Sequence, residues 1–352
     1  MLLTSTIRTG DTLSHWYRYA HAFYIQDDIK VKPNLTVNIG LRYELPSVAT
    51  EKRGKASNFV PGVGVVLDGT NQLLDLDPSK RGAAAFVFKT APITLPAGGA
   101  NPDRNNFGPL FGFAYTPKFG SGWLQDGKTV IRGGFRIGFD DVFNNIPVNQ
   151  SLNAPFVLTT VQRAGTTQPA AGYPWNLAFN QDIPLVARTT QRPGAPAVGL
   201  VSYNGIDVNT RTSYVYNWNF GIQRQIGPGS AIDVSYIGSA GHKLGLFWDA
   251  NQPQVIVRNP GLRGTQAPNE QVFPFPQWAS ASIGADIGNS TYSGLVVSGQ
   301  MKLSDLIQMT TSYTWSHSID NASSFFGSTT DVSFPADSRN LRAERGNGAV
   351  ER

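Results

Sequence analysis

The chain has 352 residues, with 29 Lys and Arg against 24 Asp and Glu, four His and no Cys, for a net charge of +5. Charged residues reach only 15% and aromatics 11%, which argues against disorder; without Cys there is neither a disulfide framework nor a thiolate metal site. No Lys/Arg run suggests a nucleic-acid tract, no apolar stretch approaches the roughly 18 residues of a transmembrane helix, and Met1–Gly10 lacks the basic-then-apolar pattern of a signal peptide.

The dominant signal is period-2 alternation, the mark of strands whose two faces meet different surroundings. It predicts about eight strands: Tyr19–Lys30, Leu35–Leu45, Asn106–Thr116, Lys128–Asp140, Tyr214–Gln225, Ser230–Gly238, Thr291–Leu303 and Leu306–His317. Along the second, Leu35, Val37, Ile39, Leu41 and Tyr43 share one face, and Thr36, Asn38, Gly40 and Arg42 the other. Along the fourth, Ile131, Phe135, Ile137 and Phe139 oppose Arg132, Gly134, Arg136 and Gly138. Tyr214, Tyr216, Trp218, Phe220 and Ile222 oppose Val215, Asn217, Asn219 and Gly221. Ile307, Met309, Thr311, Tyr313 and Trp315 form one face of the last strand.

The strands fall into pairs. Links within pairs are turn-like (Lys32-Pro33-Asn34, Gly227-Pro228-Gly229, Ser304-Asp305), apart from the longer, Gly-rich Pro117–Gly127. The links between pairs are Pro46–Asn105, Asp141–Ser213 and Ser239–Ser290. Each runs to about fifty residues or more, whereas a compact soluble domain rarely holds a structureless loop beyond about 15. Short turns on one rim and long loops on the other are the layout of an outer-membrane barrel.

A soluble sheet lying on a core would alternate as well. Three features favour lipid. The strands run to about ten residues, the span of a tilted membrane strand. Their polar faces hold Gly, Thr, Ser, Asn, Gln and some Arg rather than Lys and Glu. Aromatics Tyr43, Tyr115, Tyr313 and Trp315 stand at predicted strand ends, as an interfacial girdle would. The expected fold class is all-β, an antiparallel transmembrane β-barrel with short periplasmic turns and long extracellular loops, in a Gram-negative outer membrane.

Catalytic constellations are weak. Asp27-Asp28 and Asp140-Asp141 are adjacent pairs, and neighbours on a strand point to opposite faces. His15, His21, His242 and His317 have no metal-ligand spacing, and His317 with Asp320 is the nearest approach to one. No GxSxG elbow occurs. Pro61-Gly62-Val63-Gly64 lacks a P-loop Lys and a following helix pattern. The chain is read as a non-enzyme with no cofactor and no metal. Arg42, Arg132 and Arg136 lie on polar strand faces, where they can meet a polar or anionic solute or pair with acids across strands. Tyr173, Trp175, Phe273, Phe275 and Trp278 lie in the long loops, where they can stack on a planar solute or pack within the loops.

Four segments carry a family resemblance. Tyr24–Glu44 (YIQDDIKVKPNLTVNIGLRYE), Arg104–Pro117 with Gly127–Asp140 (RNNFGPLFGFAYTP, GKTVIRGGFRIGFD), Asn217–Leu244 and Tyr292–Asp320 occur in order, with NAPF at Asn153–Phe156. Together they resemble Oar-like TonB-dependent receptors of acidobacterial type. The resemblance implies an outer-membrane transporter of about 22 strands, with a plug inside the barrel, importing a bulky small-molecule or oligomeric solute. Its implied partners are outer-membrane lipid and the TonB complex, reached through an N-terminal region that this sequence lacks; nucleic acid is not among them. On this reading residues 1–352 are a partial barrel domain, about eight strands of the larger barrel, with the plug and the C-terminal strands absent. The alternatives are a small complete barrel or adhesin with a structural or binding role and no energy coupling, and a soluble β-rich hydrolase resting on the Asp pairs and His317.

Overall fold

A computed structural model of the chain describes residues 4–77, 86–120, 122–140, 145–163, 201–257, 269–275, 278–302, 304, 306–321 and 335–348. Its main sheet has 10 strands, two of them short, Val201–Ile206 and Gly346–Asn347. The remaining eight form a wall: β1 (Ala20–Lys32), β2 (Leu35–Pro46), β3 (Asn106–Tyr115), β4 (Thr129–Asp140), β5 (Ser213–Gly227), β6 (Ser230–Asp249), β7 (Trp278–Lys302) and β8 (Gln308–Asp320). Their order in space is their order in sequence, and every neighbouring pair is antiparallel. These are the eight strands that the alternation predicts.

Register converts alternation into two surfaces. One continuous row across the wall reads Ile29, Val37, Phe113, Gly133, Phe220, Tyr236, Leu295, Trp315. The row behind it reads Asp28, Asn38, Gly112, Gly134, Asn219, Ile237, Gly294, Ser316. A one-residue slip at any pairing would exchange these faces, so the pattern fixes the register. Among the described residues nothing covers the apolar face, with Trp315 70% and Ile25 74% exposed. Bare Phe, Ile, Trp and Tyr over eight strands far exceed the apolar patch of a soluble monomer, and lipid is the surrounding that makes such a face stable. Gly238 lies on this face under the Trp218 ring, where a Cβ would come within 2.3 Å of the indole.

The buried core is elsewhere. The described parts of the long inter-pair segments, expected as loops, fold into a cap above the wall. The strands Ser57–Val60, Gly64–Leu67, Gln72–Leu76 and Phe86–Thr90 form a four-stranded sheet. Val201–Ile206 runs parallel to the upper end of β7, beyond the stretch of β7 that pairs with β8. Phe59, Val65, Leu74, Tyr203, Trp278 and Ile283 form one core cluster; Ile146, Ile206 and Phe247 belong to another. Each such side chain contributes about 1.5–3 kcal/mol on burial.

Two predicted strand ends move. Ser230–Gly238 extends to Asp249, and Thr291–Leu303 begins at Trp278. Above the lip both faces of these strands are covered, with Leu246, Phe247, Ile283 and Ala285 all buried. Alternation therefore disappears while the strand continues. A bulge around Lys243, whose φ is 54°, interrupts the register between the two parts of the strand. Tyr313 and Trp315, expected at a strand end, lie within β8 because it continues through Ser316, His317 and Ser318 to Asp320.

The cap is closed by asparagine side chains that act as strand segments. Asn58 donates to the Ile206 carbonyl (2.8 Å) and accepts from the Ile206 amide (2.9 Å), while also donating to the Gly99 carbonyl (2.9 Å). Asn153 does the same with Asn204 and adds the Ser57 carbonyl. Asn251 does so with Phe275 and adds the Trp278 carbonyl. All three are buried. Replacing Asn58 with Ala strands one buried amide and two carbonyls, and is expected to cost the cap about 3 kcal/mol. Hydrogen exchange at the Ile206 amide should speed up accordingly, with protection in β2–β5 unchanged.

Candidate functional site

The candidate solute contacts from the sequence lie on the polar face of the wall and in the cap over its upper end, apart from Tyr173 and Trp175. Arg42 and Glu44 both point to the polar face and pair, Nε to Oε1, at 2.5 Å. Arg132 lies beside Gly221 in register and reaches Asp233 on β6, with its guanidinium nitrogen 2.6 Å from Oδ2. A Cβ at Gly221 would come within 2.4 Å of the Ser235 hydroxyl, which itself donates to Asp233. Arg136 lies between Leu110 and Asn217 and is exposed, with no ion-pair partner among the described residues. The structure thus places all three predicted arginines on one face, two in ion pairs and one open.

The loop aromatics divide differently. Tyr173 and Trp175 lie outside the described residues. Trp278 is 1% exposed, its ring edge-on to Tyr203 at 4.9 Å. Phe275 is half-buried and edge-on to Phe59 at 4.9 Å. Phe273 is half-buried as well. Trp278 and Phe275 hold the cap together, and the face of Trp278 is closed to an external molecule. The other sequence candidates do not converge. His317 and Asp320 are three apart on β8 and so face opposite sides. Asp27 falls in the apolar row with Ile39, whereas Asp28 accepts a hydrogen bond from Asn38 on the polar face. Asp141 lies outside the described residues.

The site also contains carboxylates that sequence reading did not single out. Asp103 accepts from the Thr212 amide (2.9 Å) and pairs with Arg211 (3.1 Å). Asp286, on β7 above the lip, accepts from the Arg211 amide (2.6 Å) and the Thr210 hydroxyl. Together they clasp the connection from Val201–Ile206 to β5. Burial pushes Asp286 up to about 6, against the Thr210 and Arg211 hydrogen bonds and with help from Asp207 and Asp103. Asp68, in the turn between the cap strands Gly64–Leu67 and Gln72–Leu76, has both carboxylate oxygens sealed from solvent with no partner among the described residues, and burial pushes it up to about 8. Glu51 behaves oppositely. Burial works against its charge, yet donation from the amides of His15, Lys55 and Arg53 holds it below the ordinary carboxylate range. No periodicity marks Asp68, Asp103 or Asp286, since each lies in an irregular connection or a strand covered on both faces.

Residues 2–352 match the outer membrane beta barrel domain family. No curated protein matches the chain. Among solved structures it is similar to the siderophore receptor PirA of Pseudomonas aeruginosa, at 11% identity and TM-score 0.37, over 86% of this chain and 36% of that one. It is also similar to the outer membrane transporter YddB of Escherichia coli, at 9% identity and TM-score 0.38, over 86% and 34%. The chain therefore spans about a third of the length of these proteins.

The two raised carboxyls give the cap a pH signature. Their folded values lie above the unfolded 3.8, so their stabilisation is full below that value. It is lost as pH rises through about 6 for Asp286 and about 8 for Asp68. Thermal unfolding in detergent, followed by near-ultraviolet circular dichroism, should give a higher midpoint near pH 5 than near pH 9. Asp68→Asn should flatten the upper part of that slope; an unchanged slope would refute the assignment.

Proposed function

We propose that this chain, which belongs to the outer membrane beta-barrel domain family, is a section of the wall and cap of a TonB-dependent receptor of Oar-like type that imports a bulky solute. Its place is the outer membrane, and lipid surrounds its apolar face. One observation carries the reading: eight long strands meander in strict sequence, with lipid on one side and arginines on the other, and among the described residues the wall does not close on itself. Among the described residues β1 pairs only with β2, and β8 pairs only with β7 and the two residues Gly346–Asn347. Lipid offers no hydrogen bonds to those edges, so further strands of a larger barrel are needed to satisfy them. The same open edges weigh against a small barrel complete within these residues.

In this proposal the cap receives the solute and the polar face lines its path. The protein gates passage and makes no bonds, so it is a transporter rather than an enzyme. Energy would come from the TonB complex acting on a region outside these residues. Of the three arginines, Arg136 has no ion-pair partner among the described residues, which makes it the candidate for contact with an anionic or polar solute.

Antibody raised against the cap sheet, used on outer membranes of the source organism, should capture a protein well above 38.1 kDa. A product of 38.1 kDa that migrates as a closed, heat-modifiable barrel would instead support the small barrel. In the full-length protein, Arg136→Ala should leave folding within about 0.5 kcal/mol of the parent while reducing solute uptake. Arg132→Ala should cost about 1 kcal/mol through its ion pair.

A further inference from the structure

Where the wall meets the cap there is a cavity of about 40 Å³, open at its mouth. Its lining comes from the approach to β1, the end of β2, the connection into β3, Pro147, and the connection from Val201–Ile206 to β5. Val48, Pro147 and Ile206 supply apolar surface, and two guanidinium side chains, Arg18 and Arg211, line it as well. Each arginine stands two residues ahead of a wall strand and in step with that strand's polar row, Arg18 with Ala20 and Asp28, Arg211 with Ser213 and Asn219.

Both arginines are anchored by protein. Arg18 donates from Nε to the Ser47 carbonyl (3.0 Å). Ser47 is bound in turn to Tyr19, its amide donating to the Tyr19 carbonyl (2.7 Å) and its Oγ accepting from the Tyr19 amide (2.8 Å). Around Arg211 the chain is pinned on both sides, its own amide to Asp286 (2.6 Å) and the Thr212 amide to Asp103 (2.9 Å). Arg211 Nη1 donates to the second Asp103 oxygen (3.1 Å). That pair is lopsided: the Asp103 side chain is 8% exposed and that of Arg211 51%. Both oxygens of Asp103 are used, whereas the guanidinium has further donors. Asp103 is the one acid among the described lining residues, so the two guanidiniums leave an excess of positive charge in the cavity. Asp286 lies outside the lining and is committed to the Arg211 amide and the Thr210 hydroxyl. Thr212, a buried lining residue, accepts at its hydroxyl from Asn106 Nδ2 (3.1 Å). That bond turns the Thr212 proton elsewhere, and no described residue accepts it.

Donors therefore gather at this cavity in excess of acceptors, which is the chemistry of an anion site. Size decides how much of a ligand it holds. A water-sized group occupies about 10–15 Å³ of such space, so the cavity takes about three, the carbon and two oxygens of a carboxylate, and a phosphate only in part. We propose that the lip cavity binds one carboxylate group of the imported solute, held by Arg18, Arg211 and the Thr212 hydroxyl, with the rest of the solute extending through the open mouth. The solute is thereby a bulky carboxylic acid, whose carbons next to the carboxylate meet Val48, Pro147 and Ile206. Asp103 is a positioning residue for Arg211. Arg211 precedes Asn217, the register partner of Arg136, by six residues, so Arg136 lies roughly 20 Å below the cavity, placed for a second acidic group of the same solute. The assignment rests on the transporter reading above, but its binding step is measured without transport.

The full-length protein and each variant, in detergent and selected for the folded form by heat-modifiable migration, are titrated with succinate, with neutral succinamide and with inorganic phosphate. Proton saturation transfer reads the first two and phosphorus line width the third. Succinate should bind at millimolar concentration, phosphate more weakly, and succinamide not at all. Arg18→Gln and Arg211→Gln should each weaken succinate about tenfold or more, whereas Lys52→Gln on the cap should leave it unchanged. Because Arg211→Gln also strips Asp103 of its partner, Asn101→Trp provides the independent readout. Asn101 is an exposed lining residue, and an indole there closes the mouth while both guanidiniums stay in place, so succinate binding should be lost. Succinate binding that survives Arg18→Gln and Asn101→Trp overturns the site, as does its absence from the folded parent. Equal binding of succinamide, or tighter binding of phosphate, overturns the carboxylate assignment. Capture of a closed 38.1 kDa barrel in the antibody experiment above would refute the transporter reading and leave succinate binding measurable, so the two failures are told apart.

Discussion

The structure depends on one constraint: a backbone amide in lipid has no water to bond. Every N–H and C=O of a spanning strand must find its partner laterally, on the strand beside it. Here that requirement is met seven times in succession, from β1 to β8, by antiparallel neighbours adjacent in sequence. Once pairing is lateral and continuous, side chains alternate between two surroundings. The apolar set can then be bare, because solvation by acyl chains replaces packing against a core.

This inverts the usual distribution of a globular chain. The wall carries large aromatic and aliphatic side chains outward, while the fully buried Trp278, Tyr203, Phe59 and Ile283 belong to the cap. Above the lip there is water, so the long connections must fold as a soluble domain folds. They do so with a small core and with Asn58, Asn153 and Asn251, whose amides substitute for strand neighbours where the chain cannot supply one. Among the described residues, the buried side-chain groups without a hydrogen-bond partner include Asp68, Gln150 and the Tyr203 hydroxyl of this region, along with the Trp16 indole nitrogen. Charge is held sparingly throughout. On the polar face Arg42 and Arg132 pair with acids, the Asp103–Asp286 clasp ties cap to wall, and Arg224 pairs with Asp126.

Sequence reading recovered the wall nearly residue by residue, because lipid on one side and polar surroundings on the other write a period of two. It recovered the short turns for the same reason: Gly227-Pro228-Gly229 ends one alternating run and begins another. It placed Arg42, Arg132 and Arg136 on one face from parity alone. The upper halves of β6 and β7 escaped it, since Leu246, Phe247, Ile283 and Ala285 are buried together and no face is distinguished. The cap sheet between Ser57 and Thr90 escaped it as well, because short strands separated by turns give too few periods to read. The asparagine clips have no local signature, since their partners lie up to 148 residues away.

The sequence by itself determined that this is an all-β membrane wall, which strands compose it, and which side of each faces lipid. Those properties follow from short-range periodicity and from the uniform chemistry of the bilayer. Only the tertiary structure decided that the long connections are a packed cap, that Trp278 and Phe275 serve as its core, and that two of the three arginines are already paired. Each of these rests on contacts between segments distant in the chain. Such contacts are chosen by shape and by the matching of individual hydrogen bonds, and neither leaves a repeating trace in the order of residues.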